Sequence, residues 1–193
     1  MESFSSVNAS MAKWELERIN RAAAAKILQQ QNPHLVPVSE KVNSLVAAGK
    51  NIRIELSAAF PGVKFSVRSS RFSGGDSLRV SWIDGPTDEQ VSAIANKYAA
   101  GSFDCMTDCY NYEHSTWTDA FGDAKYVQTT REYSDAFIVR VLDRVSRYWG
   151  ADPAPTLEDY RMGRLWKVKS NASDFQREVH RALYRHTQCV TKG

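Results

Sequence analysis

VKFSVRSSRFSGGDSLRVSWIDGP, residues 63–86, decides the fold class of this chain. Val63, Phe65 and Val67 alternate with Lys64, Ser66 and Arg68, and Leu78, Val80 and Trp82 alternate with Arg79 and Ser81. A period of two on both sides of a turn-forming Ser73-Gly74-Gly75-Asp76 predicts a β-hairpin. One face is apolar and needs a core. The other carries Lys64, Ser66, Arg68, Ser77, Arg79 and Ser81, with no carboxylate among them. That face has two readings. It suits phosphate oxygens or the carboxylates of a partner. It equally suits water, which antiparallel sheets commonly meet on one side.

Helical patterns flank the hairpin. Ala12, Leu16, Ile19, Ala23 and Ile27 predict one buried face of a helix from about Ser10 to Gln30. Ser39 is placed to cap a second helix, whose stripe Val42, Leu45, Ile52, Leu56 and Phe60 runs across Gly49, long or kinked there, to Pro61-Gly62. Thr87-x-x-Gln90 is a capping box ahead of Val91, Ile94, Ala95 and Tyr98. The run from Gly101 to Trp117 has no steady period and is expected to be loop, with Phe103 and Met106 docked on the core. KYVQTTREY, residues 125–133, predicts a third strand. Ser134 caps a helix striped with Ile138, Val141, Leu142, Val145, Tyr148 and Trp149 and ended by Gly150. After ADPAP, Thr156 starts a short helix. Ser173-x-x-Gln176 opens the last one, striped with Phe175, Val179, Leu183 and His186.

The order ααββαβα, then two C-terminal helices, predicts an α+β fold: a small antiparallel three-stranded sheet packed against helices. Three segments are expected: an N-terminal helical segment at 1–45, an α+β domain at 46–150 and a basic helical tail at 151–193.

Charge narrows the function classes. Residues 1–149 hold 17 Lys+Arg and 17 Asp+Glu, whereas residues 150–193 hold 8 and 5, so the whole net charge of +3 lies in the tail. A protein mimic of DNA needs a strongly acidic surface, which this composition cannot build. The N-terminus lacks the basic start and apolar run of a signal peptide, and no apolar run approaches the roughly 18 residues of a membrane span. A soluble protein in the bacterial cytoplasm is expected, with no membrane partner.

Further candidate contacts lie in the tail and in the loop. Arg177, Arg181 and Arg185 recur every fourth residue along one side of the last helix. Before them, Arg161, Arg164 and Lys167 alternate with Tyr160 and Trp166, a mixture suited to nucleic acid or to an acidic protein groove. Their plain reading is a solvated face. Tyr110 and Tyr112 suit a protein interface. Cys105, Cys109 and His114, beside Asp104 and Asp108, do not have a usual zinc spacing, and no metal or other cofactor is expected. No nucleophile elbow, zinc-protease helix or phosphate-binding loop is present, and the Gly74-Gly75 turn joins two strands and opens no helix. An enzyme is not expected.

NIRIELSAAFPGVKFSVRSSRFSGGDSLRVSWIDGPT, followed by a helix and GSFDCMTDCYNY, resembles a large polyvalent-protein-associated domain, number twenty-nine of that series, over about residues 46–149. The resemblance implies a protein of phages, plasmids or integrative elements, concerned with entry into a new host and evasion of its defences, and it carries no set of catalytic residues. The expectation is a non-catalytic inhibitor of a host immune system, a CRISPR effector complex or a restriction enzyme, acting by occlusion of its target-binding surface. The other reading is a nucleic-acid-binding accessory protein of a mobile element.

Overall fold

The computed structural model describes residues 3–104, 106, 108–113 and 115–186. Twelve elements follow in order: α1 (Ser3–Gln31), α2 (Ser44–Ala59), β1 (Ser66–Phe72), β2 (Gly75–Ile83), α3 (Asp88–Ala95), β3 (Gly101–Asp104), β4 (Cys109–Tyr112), α4 (Thr116–Phe121), β5 (Tyr126–Glu132), α5 (Asp135–Trp149), α6 (Leu157–Arg161) and α7 (Phe175–Arg185). The fold is α+β, with a three-stranded sheet in the order β1-β2-β5 and a small β3-β4 ribbon. No helix among the described residues is long and apolar enough to cross a membrane.

The hairpin forms as its alternation predicts. Val67 pairs with Val80 and Arg68 with Arg79, and Phe72 opposite Gly75 closes a two-residue loop, Ser73-Gly74. The third strand corrects an expectation, because β5 runs parallel to β2, with Arg79 beside Gln128 and Ser81 beside Thr130. The sheet is therefore mixed. Between β2 and β5 the chain passes through α3, the β3-β4 ribbon and α4, and a connection of that length returns it to the end of the sheet where β2 began. Strand polarity depends on this crossover and not on the composition of KYVQTTREY.

Capping explains most helix starts. Thr87 Oγ1 accepts from the Gln90 N–H at 3.3 Å while Gln90 Oε1 accepts from the Thr87 N–H at 2.9 Å, the reciprocal pair read from the sequence. Ser134 caps α5, and Gly150 ends it with a left-handed φ of 63°. Two caps move. Asn43, not Ser39, caps α2 through the Val46 N–H, since Ser39 bridges back to Val42 in a small turn. Asp174, not Ser173, caps α7 by accepting from the Arg177 N–H. The helix α2 passes through Gly49 without a break, and a Cβ there would lie 3.3 Å from Leu78 Cδ2, so helix and strand pack closely.

Two apolar cores result. Ile52, Leu56, Val67, Leu78, Val80, Trp82, Val91, Tyr98 and Phe121 bring α2, α3 and α4 against one face of the sheet. Phe137, Val141, Leu142 and Val145 of α5 join Leu165, Phe175, Val179 and Leu183 in a second core built by the C-terminal region. Tyr148 and His186, expected in the buried stripes of their helices, are exposed. Arg131 ties the cores together. Its guanidinium donates to the Gly85 carbonyl at 3.0 Å and to the Leu183 and His186 carbonyls at 3.1 and 2.8 Å, at the C-terminal end of α7.

The first helix departs most from expectation. Leu16, Ile19 and Ile27 are 60%, 54% and 55% exposed, so the predicted stripe is not a buried face. Among the residues of α1 whose burial is described, 11–31, the last turns meet the fold, through a different side: Ala25 is buried, Leu28 packs on the first core, and Gln29 Nε2 donates to the Ala120 carbonyl at 3.1 Å. Periodicity showed that a helix would form, but not which face would find a neighbour.

Candidate recognition surface

Because β1, β2 and β5 are in register, alternate residues of all three strands share the face opposite the helices. Ser66, Arg68, Ser70 and Phe72 of β1 lie beside Ser81, Arg79, Ser77 and Gly75 of β2, which lie beside Thr130, Gln128 and Tyr126 of β5. Arg68 and Arg79 are direct cross-strand neighbours, and both are exposed. Arg79 Nη2 lies 3.5 Å from Gln128 Oε1, and neither arginine has an ion-pair partner among the described residues. Two like charges set side by side cost stability. An anion placed between them would relieve that cost.

Lys64 precedes β1 on the same parity. It joins Ser66, Arg68, Ser81, Trp82, Ile83, Asp84 and Glu132 around an open depression of about 550 Å³ at one end of the face. Glu132 corrects the expectation of a face without carboxylates. The hairpin strands put none on this face, Asp76 standing on the other, but β5 contributes one on the far strand. Gln128, Thr130 and Glu132 were absent from the sequence-based candidates. Their alternation within KYVQTTREY was visible, but the strand they adjoin and its direction were not.

At the other end of the sheet, Phe72 stacks on Tyr126 with ring centroids 6.1 Å apart. Tyr110 meets Tyr112 and Tyr126 edge-on, at 4.7 and 5.5 Å. Lys125 Nζ sits over these three tyrosine rings at 5.2, 5.9 and 5.4 Å and donates to the Gly74 carbonyl at 2.8 Å. The Tyr110 hydroxyl donates to the Lys125 carbonyl. Tyr112 is exposed; Tyr110 is half-buried and structural, pinning the β3-β4 ribbon to the start of β5. The run expected to be loop therefore contains this ribbon and α4. Phe103 and Met106 do not dock on the core, being 54% and 90% exposed.

Removal from water, then the neighbouring phenols, pushes the Tyr110 hydroxyl up to about 12. An unfolded tyrosine ionises near 10. Above about pH 10 the native state therefore holds more protons than the unfolded state, and stability falls as pH rises through that window toward 12. Absorbance of tyrosinate against pH should show a late transition that Tyr110→Phe removes. An unchanged curve in that variant would contradict the assignment.

The tail cations have local partners. Arg161 Nη2 lies 2.6 Å from both Asp135 oxygens. Arg164 reaches Asp159 at 3.1 Å and Glu158 at 2.9 Å, and Arg181 reaches Glu178 at 3.1 Å. Lys167 Nζ sits 5.2 Å over its neighbour Trp166. Arg177 and Arg185 are exposed along α7. These residues are carried on α6, α7 and the turn between them, whose Leu157, Leu165, Val179 and Leu183 build the second core, whereas Arg68 and Arg79 stand on the sheet. Exposed pairs of this kind are weak, about 0–1 kcal/mol, so a partner could take them over.

Cys105 and His114, considered as metal ligands, lie outside the described residues, as does Cys189. Cys109 is an exposed free thiol. Asp104 Oδ1 accepts from the Met106 N–H at 2.8 Å. Asp108, its suggested companion, has a left-handed φ of 53° in the turn between β3 and β4.

A family model accounts for the segment that builds the sheet. Residues 44–134 match large polyvalent protein associated domain 29. The polyvalent-protein-associated domain thus opens on the first residue of α2 and closes on Ser134, the cap of α5. It contains all five strands and nearly all of the first core. The suspected family is the one found, but the match stops short of the expected residue 149, leaving α5 and the second core outside it with α1. The domain marks the chain as a protein associated with phages or other mobile elements. No curated protein and no solved structure matches the chain.

Proposed function

We propose that the chain acts by binding, as a counter-defence protein of a mobile element. In this reading its open sheet face covers the target-binding surface of a host immune complex, such as a CRISPR effector or a restriction enzyme. The observation that carries a binding role is the exposed Arg68–Arg79 pair, held flat by β-pairing among serine, threonine and glutamine side chains and left without ion-pair partners among the described residues. A flat array of fixed donors suits carboxylates or phosphates presented by another macromolecule. The association with mobile elements supplies the context, since such elements meet host defences on entry.

The test is capture of host proteins by the tagged chain from a bacterial lysate with active defence systems, with and without nuclease. A defence subunit retained after nuclease is expected. The double variant Arg68→Glu/Arg79→Glu should weaken that binding at least about tenfold, roughly 1.4 kcal/mol. Its stability should stay within about 0.5 kcal/mol, as for other surface changes. Capture that vanishes with nuclease, together with steeply salt-dependent binding of free DNA, would replace this reading with the nucleic-acid-binding accessory one. Undiminished capture by the double variant would leave the face merely solvated.

A further inference from the structure

We propose that β1 is a docking edge that accepts one extended, acidic strand of a protein partner. The inference rests on the reading of the sheet face as a recognition surface and names how the partner is held.

The register settles which way the backbone of β1 points. In a hairpin closed by a two-residue loop, the residues flanking the loop exchange both hydrogen bonds, and the bonded pairs then alternate. Phe72 and Gly75 flank the loop, so Ser66, Arg68, Ser70 and Phe72 direct their N–H and C=O groups toward β2. Val67, Ser69 and Arg71 direct theirs away from it. One contact agrees with this independently: the Val67 carbonyl accepts from Arg53 Nη2 of α2, on the side away from β2. No backbone hydrogen bond from residues 66–72 to any described residue outside the hairpin is made.

Ser69 and Arg71 thus offer two donors and two acceptors at strand spacing. The edge is seven residues long, exposed from Arg68 onward and continuous in register, with neither a bulge nor a proline to turn a strand away. Such an edge is a template for strand addition.

Charge selects the occupant. Arg68 stands on the open face with Arg79 behind it, Arg71 stands on the opposite face, Arg53 reaches the edge from α2, and Lys64 precedes the strand. Asp and Glu are absent from β1. Asp76, opposite Arg71, accepts from the Lys125 N–H at 2.8 Å. A second copy of β1 would bring the same cations, Arg68 and Arg71, and no carboxylate to meet them, so charge disfavours self-pairing. An incoming strand with carboxylates on either face meets a guanidinium on that face. A nucleic acid would use the cations but not the backbone donors and acceptors.

The probe is a blocked octapeptide of alternating threonine and glutamate, added to the full chain and followed by NMR amide shifts and hydrogen exchange. Exchange at the outward amides Ser69 and Arg71 should slow at least about tenfold, while Arg68 and Ser70, already bonded to β2, change little. The threonine–lysine peptide, and the acidic peptide N-methylated at alternate residues, should have no such effect. Ser69→Pro, which removes a donor that the hairpin does not use, should abolish protection at Arg71.

Unchanged exchange at both amides with millimolar acidic peptide overturns the proposal. So does equal slowing with the lysine or N-methylated peptide. Shifts confined to the Arg68 and Arg79 side chains would overturn the edge but keep the recognition face. An oligothymidylate that moves those side chains more than the acidic peptide does would overturn the edge and favour nucleic acid. If neither probe touches them, both readings fail.

Discussion

Gly122→Ala is expected to unfold the first core. Gly122 joins α4 to β5 with φ 90° and ψ 168°, a backbone conformation that side chains other than glycine's scarcely adopt. The site has no room either: a Cβ would stand 2.2 Å from the Ser44 carbonyl oxygen and 3.0 Å from the Ala48 nitrogen, both backbone atoms of α2. A flexible side chain could swing aside, but a helix backbone cannot. The next residue holds the same contact, with the Asp123 N–H donating to Ser44 Oγ at 2.7 Å. Strain and clash together should cost at least ~4 kcal/mol, in the exceptional range for a single substitution. For a chain of this size that is a loss of roughly 8–16 °C in Tm, or of soluble protein altogether. A thermal melt of the variant within about 3 °C of the parent would show that α2 and α4 are not held as tightly as described.

Asn51→Ala comes next, at about 3 kcal/mol. Asn51 lies on α2, fully buried, with all its hydrogen-bonding groups engaged elsewhere in the fold. Its Oδ1 accepts from the Val36 N–H at 2.7 Å, and its Nδ2 donates to the Val36 carbonyl at 2.8 Å and the Phe121 carbonyl at 2.9 Å. One amide thus fastens both the connector after α1 and the end of α4 to the same helix. Alanine removes three bonds and leaves three backbone groups seeking partners in or near the core, where each unmet group costs about 1–3 kcal/mol before relaxation and water entry. Asn51→Asp makes a sharper test. Ionised, it would face two carbonyl oxygens that it cannot donate to, so its folded pKa would rise above the unfolded value near 3.9. Protonated, it regains one donor. The variant should therefore lose stability as pH rises through that raised pKa, and denaturant melts at pH 5 and pH 7 would show it. Equal midpoints relative to the parent at both pH values would mean that water reaches the site.

Neither of these residues stood out in the sequence. Asn51 interrupts a helical stripe with a polar residue and looks like a solvent position until the two carbonyls are seen to converge on it. Gly122 looks like an ordinary helix stop. The sheet-face candidates were more legible, because in a hairpin the exposed set follows from alternation alone: Lys64, Arg68 and Arg79 all stand where period two puts them. The tail candidates were legible as an arginine ladder, but not as members of ion pairs. Asp135 and Arg161 lie in different helices, and their meeting depends on how α5 and α6 pack.

What the sequence determined by itself is what depends on neighbours along the chain. The hairpin of residues 66–83, the Thr87 capping box, the helix start at Thr156, the Ser134 cap and the stripe of α5 all rest on local dihedral preference, on hydrogen bonds between residues three apart, or on periodicity. What only the tertiary structure decided is which surfaces meet. It set β5 parallel to β2, left Leu16 and Ile19 of α1 in water, gathered α5 with the C-terminal helices into a second core and brought Arg131 to the end of α7. Each of these is a contact between distant parts of the chain. Its free energy belongs to a pair of surfaces, and no window of sequence contains both members of that pair.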